Sequence, residues 1–158
     1  MSVSVSYDFN ITIRETLETG VPDVSTPVIV HNAYNESARL TASTTPPVTK
    51  SSSFLLTLSS GAATIDLAAL TGAGGAAIDG TGLRVQLMRI KNLGANAMTF
   101  SEGASNGIAL SGLPMVVPPG GITQRFFNDA SPDIASGDRT IDVAGTGAQT
   151  AEITIVLG

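Results

Sequence analysis

Val3, Val5, Tyr7, Phe9, Ile11 and Ile13 alternate without a break with Ser2, Ser4, Ser6, Asp8, Asn10 and Thr12. Successive side chains of an extended chain point to opposite sides, so a period of two specifies a β-strand with one apolar face. The run is long against a usual strand of about five or six residues. Such a strand either bends across two sheets or lies partly on a neighbouring subunit. The second option makes Val3, Val5, Tyr7, Phe9 and Ile11 candidate interface residues, carried on a strand or arm over residues 1–15.

Extended structure is the expectation further along as well. Val28-Ile29-Val30 favours strand, and no 3.6-residue period runs through Asn32, Asn35 and Ser37, although a short helical turn over 32–38 is the competing reading. The segment TASTTPPVTKSSS, residues 41–53, is poor in apolar residues and holds Pro46-Pro47, which predicts a loop or an extended crossing. Alternation resumes at Phe54, Leu56 and Leu58, and again at Ala63, Ile65 and Leu67, giving two strands joined at Ser60-Gly61. Residues 71–82, TGAGGAAIDGTG, read as a glycine-rich connection. From Leu83 to Leu93 the apolar phase switches between Leu87 and Met88, the signature of a β-bulge or of a strand buried on both faces. Short strands follow at 97–100, 108–110, 115–117, 122–127, 140–144 and 153–157. Turn signals at Asn106-Gly107, Pro118-Pro119-Gly120-Gly121 and Gly145-Thr146-Gly147 separate several of them. Eight to ten short antiparallel strands with close-set turns predict one all-β domain over 1–158, an antiparallel β-sandwich of jelly-roll type.

Charge and composition remove several function classes from the expectation. Only 13% of the 158 residues are charged, and 13 acidic against 8 basic side chains leave a net charge of -5. The cations are spread singly from Arg14 to Arg139, so the basic stripe expected of a nucleic-acid binder is missing. Without cysteine, thiol chemistry, CxxC metal sites and a disulfide framework drop out together. No apolar run approaches the ~20 residues of a membrane helix. The opening MSVSVSYDFNITIRE lacks a basic segment followed by an apolar one, which predicts synthesis in the cytoplasm without a signal peptide. The sequons at Asn10 and Asn35 are accordingly read as chance matches. A surface polar through hydroxyls and amides costs less to desolvate against another subunit than an ionic one.

Two catalytic-looking patterns fail on their context. Gly103-Ala-Ser105-Asn-Gly107 has the G-x-S-x-G form of a nucleophile elbow, which sets its serine on a strand-to-helix turn with the histidine later in the chain. Here the single histidine, His31, precedes Ser105, and the residues after Gly107 look like strand; a turn using positive φ at Asn-Gly fits better. Gly72-Ala-Gly74-Gly75-Ala-Ala77 has the G-x-G-x-x-A form of a dinucleotide-binding turn, yet Asp79-Gly80-Thr81-Gly82 interrupts the helix it requires. Asp129, Asp133, Asp138 and Asp142 form a loose acidic group whose spacing matches no calcium loop, so turn and capping roles are expected. His31 beside Val28–Val30 is read as a hydrogen-bonded strand-edge imidazole rather than a lone metal ligand. No spacing singles out a carboxylate pair for glycoside hydrolysis, and with no Trp and two Tyr, stacking platforms for sugars or bases are scarce. No catalytic, cofactor-binding or metal-ligating residue and no small-molecule substrate is expected.

From about Ser37 onward, TASTTPPVTKSSSFLLTLSSGAATIDLAALTG, DGTGLRVQLMRIKNLGANAMTFSEGASNG, VPPGGITQRFFNDASPDI and RTIDVAGTGAQTAEITIVLG resemble tailed-bacteriophage virion proteins. The likeness covers about three-quarters of the chain and lies in turn phrases such as DGTGL, PPGG and GTG before a strand. It implies a small β-sandwich subunit of a virus particle, foremost a head decoration (capsid cement) protein and after that a tail or fibre component. Decoration proteins of this kind often form trimers on the capsid surface, some exchanging terminal arms. The partners implied are further copies of the chain and the major capsid protein, with no nucleic acid and no membrane. The alternative from another class is a carbohydrate- or receptor-binding β-sandwich of a tail fibre or cell surface.

Overall fold

The computed structural model describes residues 3–16 and 28–158. Among them there is no α-helix, and the strands are β1 Val5–Thr16, β2 Val28–Leu40, β3 Lys50–Thr57, β4 Ala62–Asp66, β5 Leu70–Thr71, β6 Ala77–Ile78, β7 Val85–Asn92, β8 Met98–Glu102, β9 Met115–Val117, β10 Ile122–Phe126, β11 Thr140–Ala144 and β12 Thr150–Leu157. They divide into two compact units. One is Val5–Arg39, the two-stranded ribbon β1–β2; the other is Leu40–Gly158 together with the residues up to Ser4.

The larger unit is an antiparallel β-sandwich. Its first sheet has the order β10-β7-β12-β3 and its second the order β4-β11-β8-β9. Alternation makes the sandwich: Ile153 and Ile155 of β12 stand beside Ile90 and Met88 of β7, while Phe100 of β8 stands beside Val143 of β11. All six side chains are buried in one core shared by the two sheets. Burying a side chain of that size contributes roughly 1.5–3 kcal/mol.

The connections run in a way that alternation alone does not reveal. Of the links between consecutive sandwich strands, only β8–β9 stays within a sheet. Ser60 and Gly61, both at positive φ, make the tight turn expected after Leu58, with the Ser59 and Ala62 backbones exchanging hydrogen bonds of 2.9 and 3.1 Å. The paired stretch stops at that bridge, and β3 and β4 then enter opposite sheets. Pro118-Pro119-Gly120-Gly121 likewise hands the chain from β9 in one sheet to β10 in the other.

The phase switch in the seventh strand is a bulge. Val156 pairs with Leu87 but Leu157 pairs with Val85, so Gln86 is the extra residue. Its buried amide is fully engaged: Nε2 donates to Asp129 Oδ1 at 2.5 Å and to the Gly158 carbonyl at 3.3 Å, and Oε1 accepts from the Asp129 N–H at 3.1 Å. Residues 32–38 are strand throughout, the extended structure expected of them, since they belong to β2. Two readings are corrected. Residues 50–53 are strand rather than loop, because β12 offers partners down to Lys50. Residues 108–110 lie outside the strands, and Gly107 instead bridges to Thr140.

Asn92 closes the end of β7. Fully buried, its Nδ2 donates to the carbonyls of Asn96, Val117 and Pro118 at 2.8–3.1 Å, and its Oδ1 accepts the Gly94 N–H at 2.8 Å. One side chain thus ties β7, the β7–β8 turn and the β9–β10 turn together. Asn92→Ala leaves those groups without their partner, and an orphaned buried polar group costs about 1–3 kcal/mol. The expected loss is about 2–4 kcal/mol in urea unfolding at unchanged m-value; a loss under about 0.5 kcal/mol would show the network to be dispensable.

Candidate functional site

The strand that most constrains the sequence forms a ribbon with β2. Along the early part of β1 the expected alternation holds: Val5, Tyr7 and Phe9 are half-buried while Ser6, Asp8 and Asn10 are exposed. The Tyr7 and Phe9 rings lie 5.6 Å apart at 46°, and the Tyr7 hydroxyl donates to Glu36 Oε1 at 3.5 Å. This contact joins the beginning of β1 to the later half of β2. The other end of the ribbon therefore carries the second half of β1 and the first residues of β2. There Ile11 and Ile13 are 55% and 46% exposed, and Val28 and Val30 are each 54% exposed.

Of the candidate interface residues, Val5, Tyr7, Phe9 and Ile11 lie in β1 with Ile11 in the exposed end, and Val3 precedes the strand and is half-buried. Val28, Val30 and Ile13 belong with them. The Val28-Ile29-Val30 run signalled a strand, but nothing in the sequence says that β1 and β2 pair with each other. A two-stranded ribbon has no second layer and is marginally stable by itself. Four exposed β-branched side chains on such a ribbon are suited to being covered by another surface.

The remaining candidates fall into structural roles. The G-x-S-x-G segment is a loop wrapped on Thr140, whose Oγ1 donates to the Ser105 carbonyl at 2.5 Å while the Gly103 and Ile108 N–H groups donate to its carbonyl. A Cβ on Gly103 would run into the Thr140 side chain, which accounts for that glycine. Asn106 takes a positive φ of 53°, and no helix follows Gly107. The Gly72–Ala77 segment is likewise not a phosphate cradle. It is a small hairpin, β5 and β6 joined by a single 3₁₀ turn at Ala73–Gly75, closed by the Gly72 N–H on the Ala76 carbonyl at 2.6 Å.

The four aspartates are spread over separate tasks. Asp129 holds Gln86, Asp133 pairs with Arg84 Nε at 2.6 Å, and the backbone of Asp138 closes a turn with Ala135. Asp142 accepts the Ala104 N–H at 2.8 Å and the Thr64 hydroxyl at 2.7 Å. Those bonds, the backbone one foremost, hold its carboxyl below the usual carboxylate range. Among the described residues, no three His, Asp or Glu side chains are arranged to hold a metal ion. His31 falls within β2, and its side chain lies outside the described residues.

Two shallow clefts indent the larger unit. One, of about 500 Å³, lies between Ser101-Glu102 and the loop from Ala109 to Pro114. The other, of about 410 Å³, lies between Thr49–Ser51 and Ala76–Asp79, with Val3 at its wall. Among the described residues, each has one carboxylate in its lining and no aromatic ring. Comparison with protein-family models, with curated proteins and with solved structures gave no match.

Asp142→Ala tests the role given to that carboxylate. The wild-type group has a lowered folded-state pKa, so its contribution is complete above the unfolded value of about 3.9 and disappears as pH falls through the folded one. The variant should lose about 1 kcal/mol at pH 7, and the deficit should shrink at pH 2–3, both read by thermal unfolding. An equal deficit at both pH values would mean that charge has no part in it.

Proposed function

We propose that this chain is a non-enzymatic structural protein of a virus particle, a decoration protein that stabilises the head lattice from the capsid surface. The observation that carries the reading is the β1–β2 ribbon with Ile11, Ile13, Val28 and Val30 exposed. An apolar ribbon of that kind is what an arm that clasps a neighbouring subunit needs.

The strand order supports the finer description of the sandwich. Eight strands in two sheets, with the chain crossing at every step except β8–β9, fit a jelly roll, an architecture found among viral capsid and lectin domains. Fold alone does not assign function, and the weight falls on the ribbon and on the low charge. Among the described residues, the linings of these two clefts offer no aromatic face for a sugar to stack on, which supports the virion role over the carbohydrate-binding one.

In this role the partners are further copies of the chain, in a trimer as the resemblance implies, and the major capsid protein. A protein that binds only the closed lattice shifts the equilibrium toward it by mass action. Low charge on the contacting faces keeps the desolvation penalty small.

The test is the native mass of the full chain by sedimentation, followed by co-sedimentation with expanded phage heads. Assembly into trimers, alone or joined in pairs, that bind heads and raise their disruption temperature is the expected result. Ile11→Ser with Val30→Ser should weaken assembly while shifting the stability of the sandwich by less than about 0.5 kcal/mol, as is usual for exposed positions. A persistent monomer that ignores capsids overturns the proposal.

A further inference from the structure

The four outer strands of the sandwich are not alike. β4 and β10 have five residues each and β9 has three, whereas β3 has eight. One side of β3 is taken by β12, and no strand among the described residues pairs with the other. Natural edges of that length are guarded by lysine, proline, bulges or a covering element. Here the protection is confined to one half. The β5–β6 hairpin lies beside its beginning, where Ser52 Oγ donates to the Thr71 carbonyl at 2.5 Å and Lys50 Nζ to the Asp79 carbonyl at 2.6 Å. From Ser53 to Thr57 there is no charge, no proline and no bulge.

The hydrogen-bond phase fixes which groups face outward. The Leu58 N–H donates to the Gln149 carbonyl, and along an antiparallel pair such bonded positions recur every second residue. The even-numbered residues of β3 therefore bond to β12. Ser53, Leu55 and Thr57 aim their N–H and C=O groups at the open edge. Leu55, on the outer face, is 59% exposed, and Phe54 and Leu56 on the inner face are only partly covered although they pack on the core.

We propose that β3 is a self-association edge: Ser53–Thr57 pairs antiparallel with the same segment of a second copy about a twofold axis through Leu55. The segment is complementary to itself in this register. Leu55 meets Leu55, Phe54 lies beside the second copy's Leu56 and completes its burial, and Ser53 faces Thr57. Ser53, Leu55 and Thr57 of each copy exchange backbone hydrogen bonds, joining two four-stranded sheets into one of eight. Lys50 and the β5–β6 hairpin fall outside the paired stretch, so among the described residues of the larger unit neither like charge nor bulk opposes it. A centre at Phe54 would instead draw Ser51 into the pairing, beside the hairpin. The inference stands on the sandwich alone and holds whether or not the virion role does.

The chain contains no cysteine, so a single introduced thiol reports one contact. Residues directly opposite in such a pair have Cα atoms about 5.5 Å apart, within the span of a disulfide. In the full chain under mild oxidation, Leu55→Cys should give a covalent dimer as the main product at micromolar concentration. Ile122→Cys, equally exposed at 59% on the opposite edge of the same sheet, should remain mostly monomeric in denaturing electrophoresis. Leu55→Lys, which sets two charges face to face at the axis, should weaken the twofold contact at least tenfold by sedimentation, while circular dichroism stays unchanged. Equal cross-linking at positions 55 and 122, or none at 55, overturns the proposal. So does a Leu55→Lys protein that associates as the wild type does.

Discussion

Each sheet of the sandwich presents an apolar face that only the other sheet can cover, and the chain crosses between them at almost every connection. Neither sheet is a contiguous piece of sequence. β12 stands between β3 and β7, and its inward residues Ala151, Ile153, Ile155 and Leu157 are all buried. The core and the backbone ladders therefore form together, and local propensity has little independent say. Among the described residues, five polar side chains are buried: Asn92 and Gln86, held by backbone groups and by Asp129, and Ser52, Ser131 and Thr140, each of whose hydroxyls donates to a backbone carbonyl.

Strand identity was largely legible in the residues, because a half-buried strand writes its burial directly as alternation. β1, β4, β10, β11 and β12 follow from Ile11-x-Ile13, Ala63-x-Ile65, Ile122 onward, Ile141-x-Val143 and Ile153-x-Ile155. The bulge was also visible one residue from its place, since inserting Gln86 flips the apolar phase between Leu87 and Met88. Serine-rich β3 was harder. Ser51 and Ser52 look like loop, and only pairing with Val156 and Ile155 makes them strand. Which strands pair was illegible altogether, because partners in this fold lie far apart in sequence and nothing local names them.

The candidate surface was half legible for the same reason. Alternation marked one face of β1 as apolar, yet it could not say that its residues are exposed from Ile11 onward or that β2 brings Val28 and Val30, also exposed, into the same ribbon. The acidic group shows the converse. Asp129 and Asp133 are near each other in sequence, but their carboxylates turn to different side chains, Gln86 in β7 and Arg84 just before it, so proximity along the chain did not bring the two carboxylates onto one partner.

The position of β12 also bears on the order of events during synthesis. β3 is complete by residue 57 and β7 by residue 92, but the strand between them begins only at Thr150. Throughout the intervening elongation, the two strands lack the partner that joins them, and each keeps an open ladder edge. The first sheet cannot close on the ribosome until the chain has been made through Leu157. Its folding is thus a late event, dominated by pairing between segments roughly a hundred residues apart, which is the slow class of folding reaction.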